Sequence, residues 1–534
     1  VHLFYNSCMR LLLLCLLLLR GTAALHILMY LNAIGRSHVQ HAEKLIELVN
    51  DAGHKVNLVI GVMNRALKLS GNYGAERVLV IDDTELSSFN KALHLNNPLE
   101  KRTPWNLLSY SHALHGFLPA FEEMCDAMLQ SPEFHSLLRD TKYELVMTTA
   151  FESCPNALFH HYNQGPVVSF ASTGPTEYQN YYAGNPELPL YDSNFLSSSG
   201  FEGAKHSFLK RLVDTLFSLY TRVIHHAHVE RMNEKLTAFF GEDFPDVRDI
   251  LRNKSLDIVN THPLLEEPRP ITFRMRYTGG IGLAQPKPLP KEFDTILNSS
   301  RKGTVIFSFG TQVPAARFKP ELVQTFLKAF EHFPEYSFLW KFDGSTKFNA
   351  SNVYNVNWLP QTDLLYDKRV VGFISHMGLN SFLETSFAGV PVVCIPLFAD
   401  QIGNAKRAVH IGTGVSIAKH EITVDALIDA LQKILNEKSY AEKARELAAM
   451  MESYPDTARR TLIEGIEYAA RFKNLPFHFT PEGAYHSVFV HNGWDIAVFL
   501  TLATGLVVSL IVRVSWKLLA LLPYKERLIK TKPE

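Results

Sequence analysis

The sequence predicts an α/β protein of two doubly wound halves that face each other across a cleft, followed by one membrane-spanning helix. Three observations carry this. Near the start, an apolar run at residues 25–30, a helical pattern over 37–51 and a second apolar run at 55–60 make a strand, helix, strand unit. Six prolines (263, 268, 270, 286, 288, 290) and three glycines (279, 280, 282) mark a linker between Pro263 and Pro290. Beyond it, strand-like runs recur at 304–309, 336–341, 370–375 and 392–395 with helical patterns between them, the rhythm of a second parallel sheet.

Taken in order, the first helix places Ala42, Leu45, Ile46 and Val49 on one face and stops at Gly53. Another strand is expected at 144–149. Residues 176–210, rich in Tyr, Asn, Gly and Ser without a period, read as long loops that cover a site. Gly280-Ile-Gly282-Leu-Ala-Gln285 falls short of a dinucleotide fingerprint, because its last position is glutamine and no strand precedes it. A nicotinamide oxidoreductase is thereby set aside. The expected domains are an N-terminal half over 25–265, a linker over 266–290, a C-terminal half over 291–455 and a helical segment over 456–493 that packs back on the body.

The ends carry delivery signals. Arg10 precedes nine apolar residues (11–19) and the small residues 21–24, which reads as a secretory signal over 1–24. Residues 496–512 form an uncharged apolar run flanked by Trp494 and Trp516, the short end of what a membrane span requires, so 494–515 is the expected span. The tail beyond Val512 holds six Lys or Arg against two Glu. By the positive-inside rule the tail is cytosolic and the body luminal, and the terminal K-x-K-x-x resembles a retrieval address of the endoplasmic reticulum. The sequons at Asn253, Asn298 and Asn349 fit a luminal chain.

The 534 residues include 53 basic and 53 acidic side chains, with 46% apolar, which excludes a basic nucleic-acid binder and a disordered chain. The zero total divides into +4 for the tail and −4 for the rest. Five cysteines give no zinc spacing. Cys8 and Cys15 lie in the signal segment. Cys125 and Cys154 can bridge, but the plainer reading makes them and Cys394 three buried free thiols. His225, His226 and His228 lack a metal-ligand frame and read as a solvated helix face.

The chemistry concentrates between Trp358 and Gly414. The segments are Trp358-Leu-Pro-Gln361, Phe373-Ile-Ser-His376-Met-Gly378-Leu-Asn380-Ser381-Phe-Leu-Glu384, Gly389-Val-Pro391 and Pro396-Leu-Phe-Ala-Asp400-Gln401-Ile-Gly-Asn404-Ala405. A strand ends at Ser375 and a helix begins near Gly378, so free backbone N–H groups face outward as a phosphate site. His376 adds a donor, Glu384 accepts from sugar hydroxyls, Trp358 offers a flat face to a base and Gln361 an edge partner. Asp400 and Gln401 supply the acceptor and amide that hydroxyl-rich ligands need.

These residues resemble the signature of the UDP-glycosyltransferase family, in its membrane-bound UDP-glucuronosyltransferase branch, over nearly the whole chain. The resemblance implies the two-domain GT-B fold, with a UDP-sugar in the C-terminal half and an acceptor in the N-terminal half. It places Trp358 on uracil, Gln361 on its edge, Glu384 on the ribose, and His376, Gly378 and the backbone of 379–381, including Ser381, on the diphosphate. Asn380 and Thr311 match donor-site positions, and Asp400 and Gln401 match the pair that reads the transferred sugar. Where the family usually has His-Gly-Gly, this chain has His376-Met377-Gly378, and methionine is expected to narrow the phosphate pocket if that position needs a positive φ.

The same resemblance places the family's base at His38, in Ser37-His38 followed by Gly53-His54, at the start of the first helix. A helix N-terminus keeps an imidazole neutral. The family's orienting acid stands five residues before a cysteine; here that position is Thr149, and Glu152, the nearest acid and the candidate catalytic partner, either reaches His38 from a shifted loop or leaves the dyad incomplete. The implied reaction is inverting transfer of glucuronic acid or glucose from a UDP-sugar to a hydroxyl of a small lipophilic acceptor. No metal and no cofactor beyond the donor is expected. The alternative is a catalytically weak UDP-sugar-binding or regulatory partner of related transferases. The partners expected are the donor, the acceptor and membrane lipid, with no nucleic acid and with homo- or hetero-oligomers left open.

Overall fold

The computed structural model describes residues 24–69, 71–82, 88–89, 107–150, 152–185, 208–283, 285–310, 313, 318–344, 348, 350–491 and 493–521. The signal segment, Thr311, most of loop 176–210 and the tail beyond 521 lie outside the described residues. Two compact units emerge, residues 1–479 and 480–534.

In the first unit, seven parallel strands form one sheet: β1 (His26–Asn32), β2 (Lys55–Gly61), β3 (Arg77–Ile81), β4 (Leu145–Thr149), β5 (Val167–Ala171), β6 (Leu256–Val259) and β7 (Met275–Tyr277). Their spatial order is β3-β2-β1-β4-β5-β6-β7. A second parallel sheet holds β8 (Gly303–Ser308), β9 (Tyr336–Lys341), β10 (Val353–Val356), β11 (Val370–Ser375), β12 (Val392–Cys394) and β13 (Gly414–Ser416) in the order β10-β9-β8-β11-β12-β13. Both orders reverse beside their first strand, between β1 and β4 and between β8 and β11. A crevice opens outside the strand ends at such a point, which is where doubly wound sheets bind ligands.

β7 falls inside the segment expected to be a linker. Its residues Met275, Arg276 and Tyr277 pair with Asp257, Ile258 and Val259 of β6, so the first half extends to Tyr277. Prolines 268 and 270 are compatible with that strand because they precede it at a sheet edge. A buried charge cluster ties this edge down. Asp257 accepts from Lys254 at 2.7 Å and from the Ser169 hydroxyl, and forms an ion pair with Arg274 at 3.2 Å, all with side chains at most 1% exposed.

The helix Ala458–Arg471 follows the second half in sequence but packs on the first sheet. Thr457 caps it by accepting from Arg460 N–H. Leu462, Ile466 and Ala469, at i, i+4 and i+7, join Ile27, Met29, Leu145, Met147, Phe170 and Ile258 in one core. Burying the leucine and isoleucine stabilises the fold by roughly 1.5–3 kcal/mol each.

Cys125 and Cys154 are disulfide-bonded, with Cα atoms 5.5 Å apart, which corrects the reading of three free thiols; among the described residues only Cys394 is free. The helices Leu107–Leu129 and Cys154–His161 lie side by side, a proximity that a separation of 29 residues does not announce. The histidine run is corrected as well. His225 contacts Tyr182 Oη at 3.2 Å and buried His228 contacts Glu122 at 2.9 Å, because i and i+3 share the inner helix face; only His226 is solvated.

The second unit contains the helix Trp494–Leu521, 28 residues with no buried side chain. At 1.5 Å per residue it is about 42 Å long, enough to cross a bilayer. It is a candidate membrane span, longer than the 494–515 expected.

Candidate active site

The C-terminal wall of the crevice is built from the ends of β8 and β11. After β8, Gly310 takes φ +72°; after β11 come His376, Met377 and Gly378, which caps the helix Leu379–Ala388. The His376 ring is wedged between the two glycines. A Cβ at Gly310 would lie 2.8 Å from the ring, and one at Gly378 would lie 2.7 Å from its Nε2. Burial, helped by nearby Lys341, lowers the His376 pKa to about 4, so the ring is neutral at pH 7. Its Nδ1 is buried without a hydrogen-bond partner.

Along the same wall, Gln361 Nε2 donates to Ser381 Oγ at 3.2 Å and to Glu384, whose other oxygen accepts from Thr362 Oγ1 at 2.8 Å. Burial nevertheless raises the Glu384 pKa. Trp358 leaves 56% of its surface exposed. Asp400 begins the helix Gln401–Ile411 and accepts from Asn404 Nδ2 at 3.0 Å; burial pushes its pKa up to about 6. Asn404 also donates to the Met377 carbonyl at 2.9 Å, which joins the Asp400 and His376 loops. Gln401 is buried differently from expectation. Its Oε1 accepts from the N–H groups of Leu397 and Phe398 at 2.9 and 3.2 Å, so its carbonyl is committed to the loop.

Opposite stands the start of the helix Arg36–Asp51. His38 lies in its first turn, and its Nδ1 is buried without a partner. Burial lowers its pKa to about 4, so it is neutral and able to accept a proton. His41, one turn on, contacts Ser172 Oγ at 3.0 Å, and burial followed by the adjacent His38 lowers its pKa to about 3. Asn260 of the first half donates to exposed Asn380 at 3.4 Å, and the Arg36 guanidinium lies 5.7 Å from the Trp358 ring centroid. Arg36, His41, Asn260 and Lys341 all face the crevice region yet escaped the sequence reading. Only the His38, His41 spacing of three residues carried a signal for any of them.

The sequence pattern described as UDP-glucoronosyl and UDP-glucosyl transferase matches residues 28–520. The chain belongs to this family. UDP-glucosyltransferase 2 of Dactylopius coccus is 30% identical over 70% of this chain and 72% of that one. UDP-glucuronosyltransferase 1A8 of Rattus norvegicus is 28% identical over 91% of each chain. Among solved structures, the glycotransferase of kitacinnamycin superposes with a TM-score of 0.58 at 17% identity, covering 84% of this chain and 99% of its own. The calicheamicin glycosyltransferase CalG4 gives 0.53 at 19%. The fold is therefore GT-B, and the protein is a UDP-glycosyltransferase.

In this UDP-glycosyltransferase the two departures from the family pattern have separate structural outcomes. Met377 does adopt positive φ, +62°, but its side chain is fully buried in the core with Phe373, Leu379, Cys394 and Ala405. It therefore turns away from the phosphate corner, contrary to the narrowing expected. Met377→Gly should be about 1 kcal/mol more stable than Met377→Ala in thermal unfolding, because only glycine is free of the left-handed penalty. Both should fall below the parent by about 2 kcal/mol or more through the lost buried side chain. Equal stabilities would remove the backbone argument.

Glu152 is not brought to His38. Its carboxyl accepts from Asn32 Nδ2 and sits 2% exposed near Tyr30 and Tyr178, and burial pushes its pKa up to about 8. The helix beginning at Cys154, bridged to Cys125, carries this loop inward. Thr149, at the family's acid position, has a buried hydroxyl without a hydrogen-bond partner.

Proposed function

We propose that this transferase moves glucuronic acid or glucose from its UDP-sugar to a hydroxyl of a small lipophilic acceptor by a single inverting displacement, with His38 as the base. The observation that carries this is the approach of the two walls. A neutral histidine lies two residues from a guanidinium that reaches the indole of the opposite half. The His38 imidazole takes the hydroxyl proton, the acceptor oxygen bonds to the anomeric carbon, and the bond to UDP breaks with its electron pair leaving on the diphosphate. The N-terminus of the helix Leu379–Ala388 and His376 receive that charge. Trp358, Gln361 and Glu384 hold the nucleoside, and Asp400 with the Gln401 amide reads the sugar.

On this reading the helix Trp494–Leu521 anchors the chain in the endoplasmic reticulum membrane, with the body luminal and the basic tail cytosolic. One observation favours a second reading, a catalytically weak UDP-sugar-binding partner of related transferases: Glu152 is bonded to Asn32, which leaves His38 without a carboxylate to orient it. UDP release from microsomes carrying the chain, with UDP-glucuronic acid and UDP-glucose against phenolic acceptors, separates the two. Turnover with any pair eliminates the weak partner. Saturable UDP binding with no turnover across the panel would overturn the transferase reading.

A further inference from the structure

The nucleotide corner holds positive charge on both of its walls. Lys341, the last residue of β9, places its ammonium 5.0 Å from the Trp358 ring centroid and donates to the Gly310 carbonyl at 2.9 Å, directly beside the His376 ring. From the other half, Arg36 brings its guanidinium to 5.7 Å from the same centroid. Arg36 is exposed, and among the described residues no carboxylate pairs with it. Burial lowers the Lys341 pKa and the nearby Arg36 charge lowers it further, whereas Asp343 opposes both.

Two like charges gathered around one aromatic ring repel each other, and the ring's negative face compensates only in part. The arrangement becomes favourable when an anion enters between them. A guanidinium suits phosphate oxygens in particular, since its fork of N–H donors can grip two at once. The substrate that this enzyme class uses carries such a group, a diphosphate attached to a nucleoside. The groups expected to hold it otherwise come from the second half: His376, Gly378 and the helix N-terminus at Leu379.

We propose that Arg36 is a donor-contacting residue supplied by the acceptor half, which grips the diphosphate together with Lys341. Arg36 and His38 occupy the same first turn of the helix Arg36–Asp51. Donor binding therefore fixes the turn that carries the base, and the two substrates are brought into register by one short stretch of backbone. This inference rests on seating UDP at the Trp358 corner.

The test measures affinities for UDP and for uridine in the full-length chain, with Arg36→Ala, Arg36→Lys and Trp358→Ala compared with the parent. Arg36→Ala should weaken UDP about tenfold, the size of a lost charged hydrogen bond, and leave uridine unchanged. The salt dependence of UDP affinity should flatten, KM for the UDP-sugar should rise, and kcat should fall because the base turn is no longer set. Arg36→Lys should restore part of the UDP affinity. Trp358→Ala should weaken both ligands. If Trp358→Ala weakens both ligands but Arg36→Ala leaves UDP unchanged, Arg36 is no donor contact and the seating of UDP stands. Equal losses for UDP and uridine in Arg36→Ala would also overturn the inference, since Arg36 would then act through the ring. If Trp358→Ala leaves both affinities intact, the seating itself fails.

Discussion

Replacing His38 with alanine is expected to lower turnover by about 10²–10⁴-fold, the usual contribution of a positioned base, while UDP affinity stays at the parent value. The nucleoside and most of the diphosphate contacts come from the opposite wall, and Arg36, the one contact proposed from this turn, keeps its own side chain when the His38 ring is removed, so binding and chemistry separate in this variant. Full retained activity would remove His38 as the base. The pH profile provides an independent check. Burial sets the His38 pKa at about 4, and the base works only when unprotonated. On the acid limb, kcat/KM should therefore fall as pH drops through about 4 and should be flat through neutrality. A limb centred near the ordinary histidine value of about 6.5 that persists in Asp400→Asn, which removes the carboxyl raised to about 6, would mean that the His38 ring is solvated in the working enzyme.

Asp257→Ala is expected to destabilise the two-sheet body by about 3–5 kcal/mol, because it leaves Lys254 and Arg274 as buried cations without their shared counter-ion. Thermal or denaturant unfolding of the full chain in detergent measures this; a loss under about 1 kcal/mol would mean that water reaches the cluster. The pH dependence has a definite sign. Burial alone would raise the Asp257 pKa, but Lys254 and Arg274 outweigh it and hold the carboxyl below its ordinary value. A depressed carboxyl contributes stability that is complete above the unfolded value of about 3.9 and is lost as pH falls through the folded one. The contribution is thus constant at neutral pH and disappears only in strong acid.

The sequence was most legible where strands are buried on both faces. β1, β2, β4, β8, β9, β11 and β12 lie within a residue or two of their expected positions because their apolar runs are unbroken. Three of the sheet edges, β7, β10 and β13, are three or four residues long and show no continuous apolar run, while β3 was missed although 78–81 is apolar, its side chains being mostly half-exposed. β5 and β6 were hidden by Ser169 and Asp257, polar residues that are admitted to the core because they satisfy each other. The donor wall could be read because its residues follow one another through three adjacent loops. Arg36 could not be read this way, since its neighbour Trp358 is brought to it only by the meeting of two sheets. Glu152 was misjudged for a similar reason: residue spacing gives its distance along the chain from Thr149 but says nothing of Asn32 on a neighbouring strand.

The helix Ala458–Arg471 has a consequence for how the chain is made. The first sheet emerges from the ribosome with one apolar face only partly covered, by the helix Arg36–Asp51 over β1 and β2, and the segment that closes the rest lies roughly 180 residues beyond β7. At about 5–20 residues per second, that part waits on the order of 10–40 s for its cover. During that interval the nascent chain presents Leu145, Met147, Phe170 and Ile258 to solvent as a sticky intermediate, a natural client for chaperones. Any product that ends before residue 458 would keep that part bare permanently, even with every residue of both crevice walls in place.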